Sequence, residues 1–315
     1  MISQSDILAA RSTIAGKLHR TPTISASALG EIAGVNLFLK CEQFQKTGSF
    51  KPRGAINKLA QLSEAERARG LVSASAGNHA QGLAYAARAF GAHATIVMPQ
   101  DAPQAKIDAV RGYGGEIVFA ESVNTMFDRM LELQRAHNYV IAHPFDDPAV
   151  IAGQGTVGLE IFEDAPDAEY VFVPIGGGGL ISGVALALKT NNPRLKIIGV
   201  ESVAGGAYSA SLRAGRNKRV VCSQTIAGGI VCPMIGENNY PLMQELVDDV
   251  VMVNDEELKI ALRLLLERCK ALVEGAGAAA TAALVMKKIP LPHNARVVAV
   301  LSGGNVDLAR LKEWL

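Results

Sequence analysis

Between residues 71 and 142 strand-length apolar runs alternate with helical stretches, and no other feature restricts the fold as much. Leu71–Ser73 reads as a short strand and Asn78–Phe90 as an Ala-rich helix. Ala94–Met98, Glu116–Ala120 and Tyr139–Ala142 read as further strands, with helices over Pro103–Arg111 and Asn124–His137. Parallel strands need crossover connections of this kind, so the segment predicts a small parallel sheet with helical crossovers.

A second alternation begins near Pro148. Helical periodicity covers Pro148–Phe162, and Tyr170–Ile175 is an apolar run fit for a buried strand. Four glycines follow, then a helix to about Lys189 and strands at Lys196–Val200 and Val250–Val253. Asn254 with Glu257 reads as a capping box opening a helix. Gly275–Lys287 is a helix and Arg296–Leu301 the last strand. Before residue 71 a helix is predicted over 5–18, a strand over Val35–Lys40, and a helical run from Lys51 to about Leu62. The Gly-rich stretch from Gly205 to Met243 shows no clear period. The prediction is an α/β chain of two open, mostly parallel twisted sheets with helices on both faces. Residues 70–147 would form a small domain inserted into a large one built from 1–69 and 148–315, with a ligand cleft between them.

Composition narrows the function. Apolar residues make up 49% of the chain and the formal net charge is +1, with no basic run. Nucleic acid and anionic membrane surfaces are not expected partners. No apolar stretch has the length of a membrane span, and the polar start Met1–Asp6 lacks the pattern of a signal peptide. Cys41, Cys222, Cys232 and Cys269 have no CxxC spacing and fit reduced thiols in a cytoplasmic protein. The histidines form no zinc motif.

Three glycine-containing loops follow predicted strands and precede helices or the chain end. In an open α/β sheet, ligands bind there. Ser75-Ala76-Gly77-Asn78-His79 leads into a helix N-terminus, whose free N–H groups suit a carboxylate. A plain capping loop would account for it equally well. Gly176, Gly177, Gly178 and Gly179 before Leu180 leave a run of amides uncovered by side chains, which suits a phosphate. The run matches neither the P-loop nor the dinucleotide fingerprint. Ser302-Gly303-Gly304-Asn305 places a serine at a strand end, where a simple turn is the alternative. Lys51 opens a helix and on its own is an ordinary solvated charge. Together, a lysine, a phosphate cup, a carboxylate site and a strand-end serine are what a phosphate-bearing aldehyde cofactor requires. Pyridoxal 5'-phosphate is the candidate.

In order along the chain come Ser49-Phe50-Lys51-Pro52-Arg53-Gly54, Ser75-Ala76-Gly77-Asn78-His79-Ala80-Gln81-Gly82, Gly176–Leu180 and Ser302–Asn305. With these, and with Val150–Thr156 and Glu274–Gly277, the chain resembles the serine/threonine dehydratase and serine racemase family of pyridoxal-phosphate enzymes. That family has the tryptophan-synthase-β type of fold, fold type II. The resemblance is nearest to a catabolic threonine or serine dehydratase. It implies that Lys51 carries the cofactor as a Schiff base and later acts as base at Cα. It implies that Phe50 flanks the ring, Asn78 meets the ring hydroxyl, and Ser302 faces the ring nitrogen. Gly176 to Gly179, with Leu180, would hold the phosphate. Ser75, Ala76, Gly77, Asn78 and His79 would surround the substrate carboxylate. The implied reaction is α,β-elimination of a β-hydroxy amino acid such as L-threonine or L-serine, giving a 2-oxo acid and ammonia. A cytoplasmic homodimer is the expected state.

Departures from the family pattern matter. Racemases of the family carry a second serine where this chain has Ala76, so dehydration with little racemisation is expected. Asn124–Phe127 offers no cation for a second substrate carboxylate except nearby Arg129, which argues against 3-hydroxyaspartate. Phe145 stands where a polar residue is common and fits a larger substrate such as phenylserine. Glu201 matches a family ligand for Mg2+ or Mn2+, but no second acid follows over Ser202–Tyr208. The usual Ala-Asp-Gly turn is Ala227-Gly228-Gly229 here. The chain ends thirteen residues after Ser302, which suggests a catabolic role without a regulatory domain. The competing readings are a racemase and a binding protein that kept the fold.

Overall fold

The computed structural model describes residues 2–122 and 125–315. Its strands are β1 (Thr23–Ser25), β2 (Asn36–Cys41), β3 (Leu71–Ala74), β4 (Ala94–Pro99), β5 (Glu116–Ala120), β6 (Val140–Ile141), β7 (Tyr170–Pro174), β8 (Lys196–Ser202), β9 (Asp249–Val253) and β10 (Arg296–Leu301). The helices of the first half are α1 (Gln4–Ile14), α2 (Ser27–Ala33), α3 (Lys51–Gln61), α4 (Glu64–Arg69), α5 (Asn78–Ala89), α6 (Gln104–Gly112) and α7 (Met126–His137). Those of the second half are α8 (Pro148–Asp164), α9 (Gly179–Asn191), α10 (Ala207–Ala214), α11 (Asn239–Leu246), α12 (Asp255–Leu264), α13 (Gly275–Val285) and α14 (Leu308–Trp314).

Two sheets result. The larger runs β1-β2-β10-β7-β8-β9 and the smaller β5-β4-β3-β6. Every pairing is parallel except β1 on β2. Alternation along β10 shows why the larger sheet is covered on both faces. Val297, Ala299 and Leu301 enter one apolar core with α12 and α13. Val298 and Val300 enter another with α8 and α9. A central strand buried on both sides reads as a continuous apolar run, as this one does. In the smaller sheet Leu71, Ile96 and Met98 pack on α3 and α5, while Val72 and Val97 pack on α7.

Helices α3, α8 and α9 pack closely through glycine. A Cβ on Gly153 would lie 2.5 Å from the Arg53 carbonyl oxygen, and one on Gly183 2.4 Å from that of Ile151. Asp147 caps α8 by accepting from the N–H groups of Ala149 and Val150, with Pro148 at the first helical position. The capping box of Asn254 and Glu257 opens α12.

Several boundaries differ from expectation. Helix α1 stops at Ile14 rather than residue 18, because Gly16 turns left-handed with φ +72°. The expected start of α7 at Asn124 lies outside the described residues. In the unparsed stretch after Gly205, α10 forms because Glu201 reaches its N-terminus. The Glu201 carboxylate accepts from the N–H groups of Tyr208 and Ser209 and from the Ser209 hydroxyl. Among the described residues no helix is long and apolar enough to cross a membrane.

Candidate active site

The loops singled out by sequence all leave carboxyl ends of parallel strands, and they line one cavity of about 440 Å³. Phe50 and Lys51 follow β2 through a short 3-10 turn, Ser75–His79 follow β3, Gly176–Leu180 follow β7, and Ser302 follows β10. The Lys51 and Ser302 segments are joined directly. Ser49 and Gly303 form an isolated antiparallel bridge, and the Phe50 N–H donates to the Ser302 carbonyl at 3.2 Å.

Lys51 begins α3. Its Nζ donates to the Pro144 carbonyl at 2.8 Å and lies 5.1 Å from the centre of the Phe50 ring. Desolvation pulls the amine down to about 8, against the opposing pull of Cys232 and Glu274. With that value about a tenth of the amine is neutral at pH 7, against about one part in 3,000 for a free lysine. A neutral amine can attack a carbonyl and take a proton from carbon; an ammonium can do neither.

The glycine turn has two surfaces. Toward the cavity it presents amides. Among the described residues the N–H groups of Gly176, Gly177 and Gly178 donate to no backbone or side-chain acceptor, and no side chain caps α9. Gly178 takes φ +96°, a conformation that favours glycine. The turn is also packed tightly against its neighbours. A Cβ on Gly177 would fall 2.3 Å from the Phe145 ring, and one on Gly178 2.6 Å from the Met243 sulfur. The glycines therefore admit Phe145 as well as leaving amides open. Phe145 lines the cavity, its ring edge-on to His143 with centres 4.6 Å apart. It is a wall of the pocket, one of the two roles an aromatic at this position could take. Asn239 ties wall to turn, donating from Nδ2 to the Phe145 and Gly177 carbonyls.

Asn78 is the centre of a polar chain. Asn305 donates to the Thr47 carbonyl at 2.7 Å and to Asn78 Oδ1 at 2.8 Å. Asn78 Nδ2 then donates to Glu274 Oε1 at 2.5 Å. His79 is buried with Nε2 on the Ala142 carbonyl at 3.0 Å, and desolvation first, then Lys51, pushes it down to about 3. A neutral imidazole brings no charge to a substrate carboxylate. Ser302 is buried, and its Oγ makes only a 3.5 Å contact to the Ala276 carbonyl. Ala76 lines the cavity with no group able to carry a proton.

These groups fit pyridoxal phosphate. Uncovered amides can take a phosphate, a desolvated amine can take an aldehyde, and an underused buried hydroxyl can meet a ring nitrogen. The fit does not extend to the divalent cation. Both Glu201 oxygens are engaged by α10, and among the described residues no three His, Cys, Asp or Glu side chains converge as a metal requires. Arg129, the cation weighed for a second carboxylate, pairs with exposed Glu132 at 2.8 Å. Lys106 and Arg310 line the cavity instead.

Sequence reasoning assigned no role to Glu274, Asn305 or the Pro144 carbonyl. Glu274 left a signal. It is an acid directly before a helix that does not cap that helix with its side chain.

Below α3 lies a buried ion network. Arg53 donates to both oxygens of Glu42 at 2.8 and 2.9 Å and to both of Glu160 at 2.7 and 2.8 Å. Lys40 pairs with Glu160 at 2.7 Å. Through Arg53 the helix that starts at Lys51 is fixed to the 3-10 turn after β2 and to α8.

Comparison with known proteins agrees with this geometry. A family model described as "Pyridoxal-phosphate dependent enzyme" matches residues 14–303. L-threonine ammonia-lyase of Thermotoga maritima is 48% identical over 98% of this chain and 77% of its own length. Catabolic L-threonine dehydratase of Staphylococcus aureus is 45% identical over 99% of this chain and 91% of its own. The solved structure of maize serine racemase superposes with a TM-score of 0.95 at 37% identity, covering 99% of this chain and 96% of that one. Motif order, cavity chemistry and relatives give one answer: the chain belongs to the family of pyridoxal-phosphate dependent enzymes.

Proposed function

We propose that the chain is an ammonia-lyase acting on a β-hydroxy amino acid such as L-threonine or L-serine, releasing a 2-oxo acid and ammonia. The observation that carries this is the single cavity shared by a desolvated lysine amine, a turn of unpartnered amides and a buried serine hydroxyl. Relatives named for threonine support the substrate class.

When bound, pyridoxal phosphate supplies the electron sink that allows a Cα–H bond to break. The chain supplies the rest. Lys51, as neutral amine, takes the Cα proton. The amides of Gly176–Leu180 would hold the phosphate, and Ser302 would be the neutral partner of the ring nitrogen. Phe50 and Phe145 exclude water from the reacting atoms. The N-terminus of α5, with Ser75, holds the substrate carboxylate through backbone N–H groups. Residues 70–147 act as the smaller of two domains bordering the cleft. The working state is a cytoplasmic homodimer. Four unpaired cysteines fit a reducing compartment, and light scattering of the purified chain reads the oligomer.

The test is 2-oxo acid release from L-serine, L-threonine, 3-hydroxyaspartate and phenylserine. Product from threonine or serine is expected. A yellow protein that releases none from either contradicts the proposal. The likeness to a racemase makes Ala76 decisive. D-serine formation is expected at least about 100-fold slower than elimination, since the base for the second face of Cα is missing. Ala76→Ser is expected to gain racemisation, read by chiral chromatography. A variant with unchanged racemisation sinks this one-residue account.

A further inference from the structure

A turn made of glycines has a weakness, since the peptide plane between two of them can turn over. Gly178 stands at φ +96°. Rotating the Gly177–Gly178 plane by half a revolution brings that φ to the ordinary negative side, and glycine accepts both signs about equally. In a trans peptide the carbonyl and the following N–H point in opposite directions. One orientation of this plane offers the Gly178 N–H to a ligand. The other offers the Gly177 carbonyl oxygen, which repels a phosphate. Both residues line the cavity, so the choice between the two planes decides whether the turn can seat an anion.

The structure makes that choice through the carbonyl. The Gly177 carbonyl accepts from the Gly236 N–H at 3.0 Å and from Asn239 Nδ2 at 3.0 Å. Both donors belong to the turn that opens α11. With the carbonyl held there, the Gly178 N–H is directed the opposite way, and among the described residues it has no acceptor. Asn239 is fully buried, and its Nδ2 also donates to the Phe145 carbonyl at 3.1 Å. Its Oδ1 is buried and has no donor among the described residues. Such an oxygen costs stability, so what recommends a carboxamide here is its NH2 group. Glycine makes room for it. A Cβ on Gly178 would lie 2.9 Å from the Asn239 Cβ, and one on Gly236 2.6 Å from Nδ2. The clamp is itself anchored. The Asp146 carboxylate accepts from the N–H groups of Glu237 and Asn238, both at 2.9 Å, and from Asn238 Nδ2 at 3.0 Å. Residues 145 and 146 thus hold the 236–239 turn from adjacent positions.

We propose that Asn239 is a positioning residue for the cofactor phosphate: with the Gly236 N–H it locks the Gly177–Gly178 peptide so that the Gly178 N–H is presented to the anion. This rests on the reading of the glycine turn as a phosphate seat and adds what keeps that seat in its binding form. Alanine at 239 leaves one donor on the Gly177 carbonyl, and the reversed plane becomes populated. Apparent affinity for the phosphate then falls in proportion to the share of chains that keep the binding plane.

The test is titration of the full-length, cofactor-stripped protein with pyridoxal 5'-phosphate and with pyridoxal, which has the same ring and aldehyde but no phosphate, followed by absorbance. Wild type is expected to bind the phosphorylated form at least about 100-fold more tightly, through charge-assisted hydrogen bonds to the turn. Asn239→Ala is expected to weaken pyridoxal 5'-phosphate at least about tenfold and pyridoxal less than about twofold. Asn239→Ser keeps a single donor, and its expected loss is at least about threefold, again confined to the phosphorylated form. It carries the comparison if the alanine variant does not fold. Equal losses for the two ligands, or an unchanged affinity for pyridoxal 5'-phosphate, overturn the proposal and leave Asn239 a packing residue. A wild type that binds both ligands equally sinks the phosphate seat itself, a failure separate from that of Asn239.

Discussion

Lys51→Ala is expected to leave a folded, colourless protein whose kcat/KM for elimination is at least about 10⁴-fold below wild type, the upper end of what a positioned base contributes. The reason is geometric. The Lys51 amine is poised against the Pro144 carbonyl in a cavity where burial keeps it partly neutral. Alanine removes the covalent attachment and the base together. Added alkylamines are expected to restore a small part of the rate, because they supply a base without its positioning. Absorbance spectra and 2-oxo acid release check both statements. A variant that keeps its colour and more than about 1% of its rate would contradict the assignment, since a second base would be at work.

Arg53→Ala carries the largest expected effect on stability, about 3–5 kcal/mol, read as a lower urea midpoint. Arg53 and Glu42 are fully buried, and Arg53 spans Glu42 and Glu160 with paired hydrogen bonds. Removing the guanidinium leaves two carboxylates in the core with Lys40 as their remaining cation. Acid sensitivity follows from the same contacts. Desolvation works to raise Glu160, but Arg53 and Lys40 outweigh it and hold the carboxyl below the ordinary glutamate range. A depressed carboxyl contributes stability above its unfolded-state value and loses it as pH falls through the folded one. Wild type is thus expected to lose stability from about pH 5 downward more steeply than Arg53→Ala. Equal slopes would place the network's contribution elsewhere. Activity is expected to fall in the variant as well, because Arg53 sits two residues from Lys51 on one helix and fixes that helix to α8.

Much of the architecture is legible in the sequence because parallel strands buried on both faces are continuous apolar runs. β7 and β10 stand out for that reason, and the glycines after β7 mark the turn. Other elements owe their form to distant partners. β1 has three residues and exists by pairing with β2. α10 is opened by the Glu201 carboxylate, a residue outside the helix. Local periodicity carries no trace of either. The site divides the same way. Lys51, the Gly176–Leu180 turn and Ser302 announce themselves by residue type at strand ends. The role of Asn78 does not. Its amide is fixed by Asn305 and Glu274, which lie more than 190 residues away in sequence. Glu201 matches a metal ligand by position but lacks a second acid in sequence, and the fold adds that a helix N-terminus engages both its oxygens. The glycine turn reads from sequence as open amides or as a tight turn for close packing, but that the Phe145 ring is what packs against it is not visible in the spacing.

The central claim is that Lys51 and no other lysine holds the cofactor. Borohydride reduction of the yellow protein, followed by digestion and mass spectrometry, tests it most directly. The mass of the reduced cofactor is predicted on the peptide containing Lys51, with the yellow absorbance lost irreversibly. Label on Lys106, which lines the same cavity, or on buried Lys40, would contradict the account.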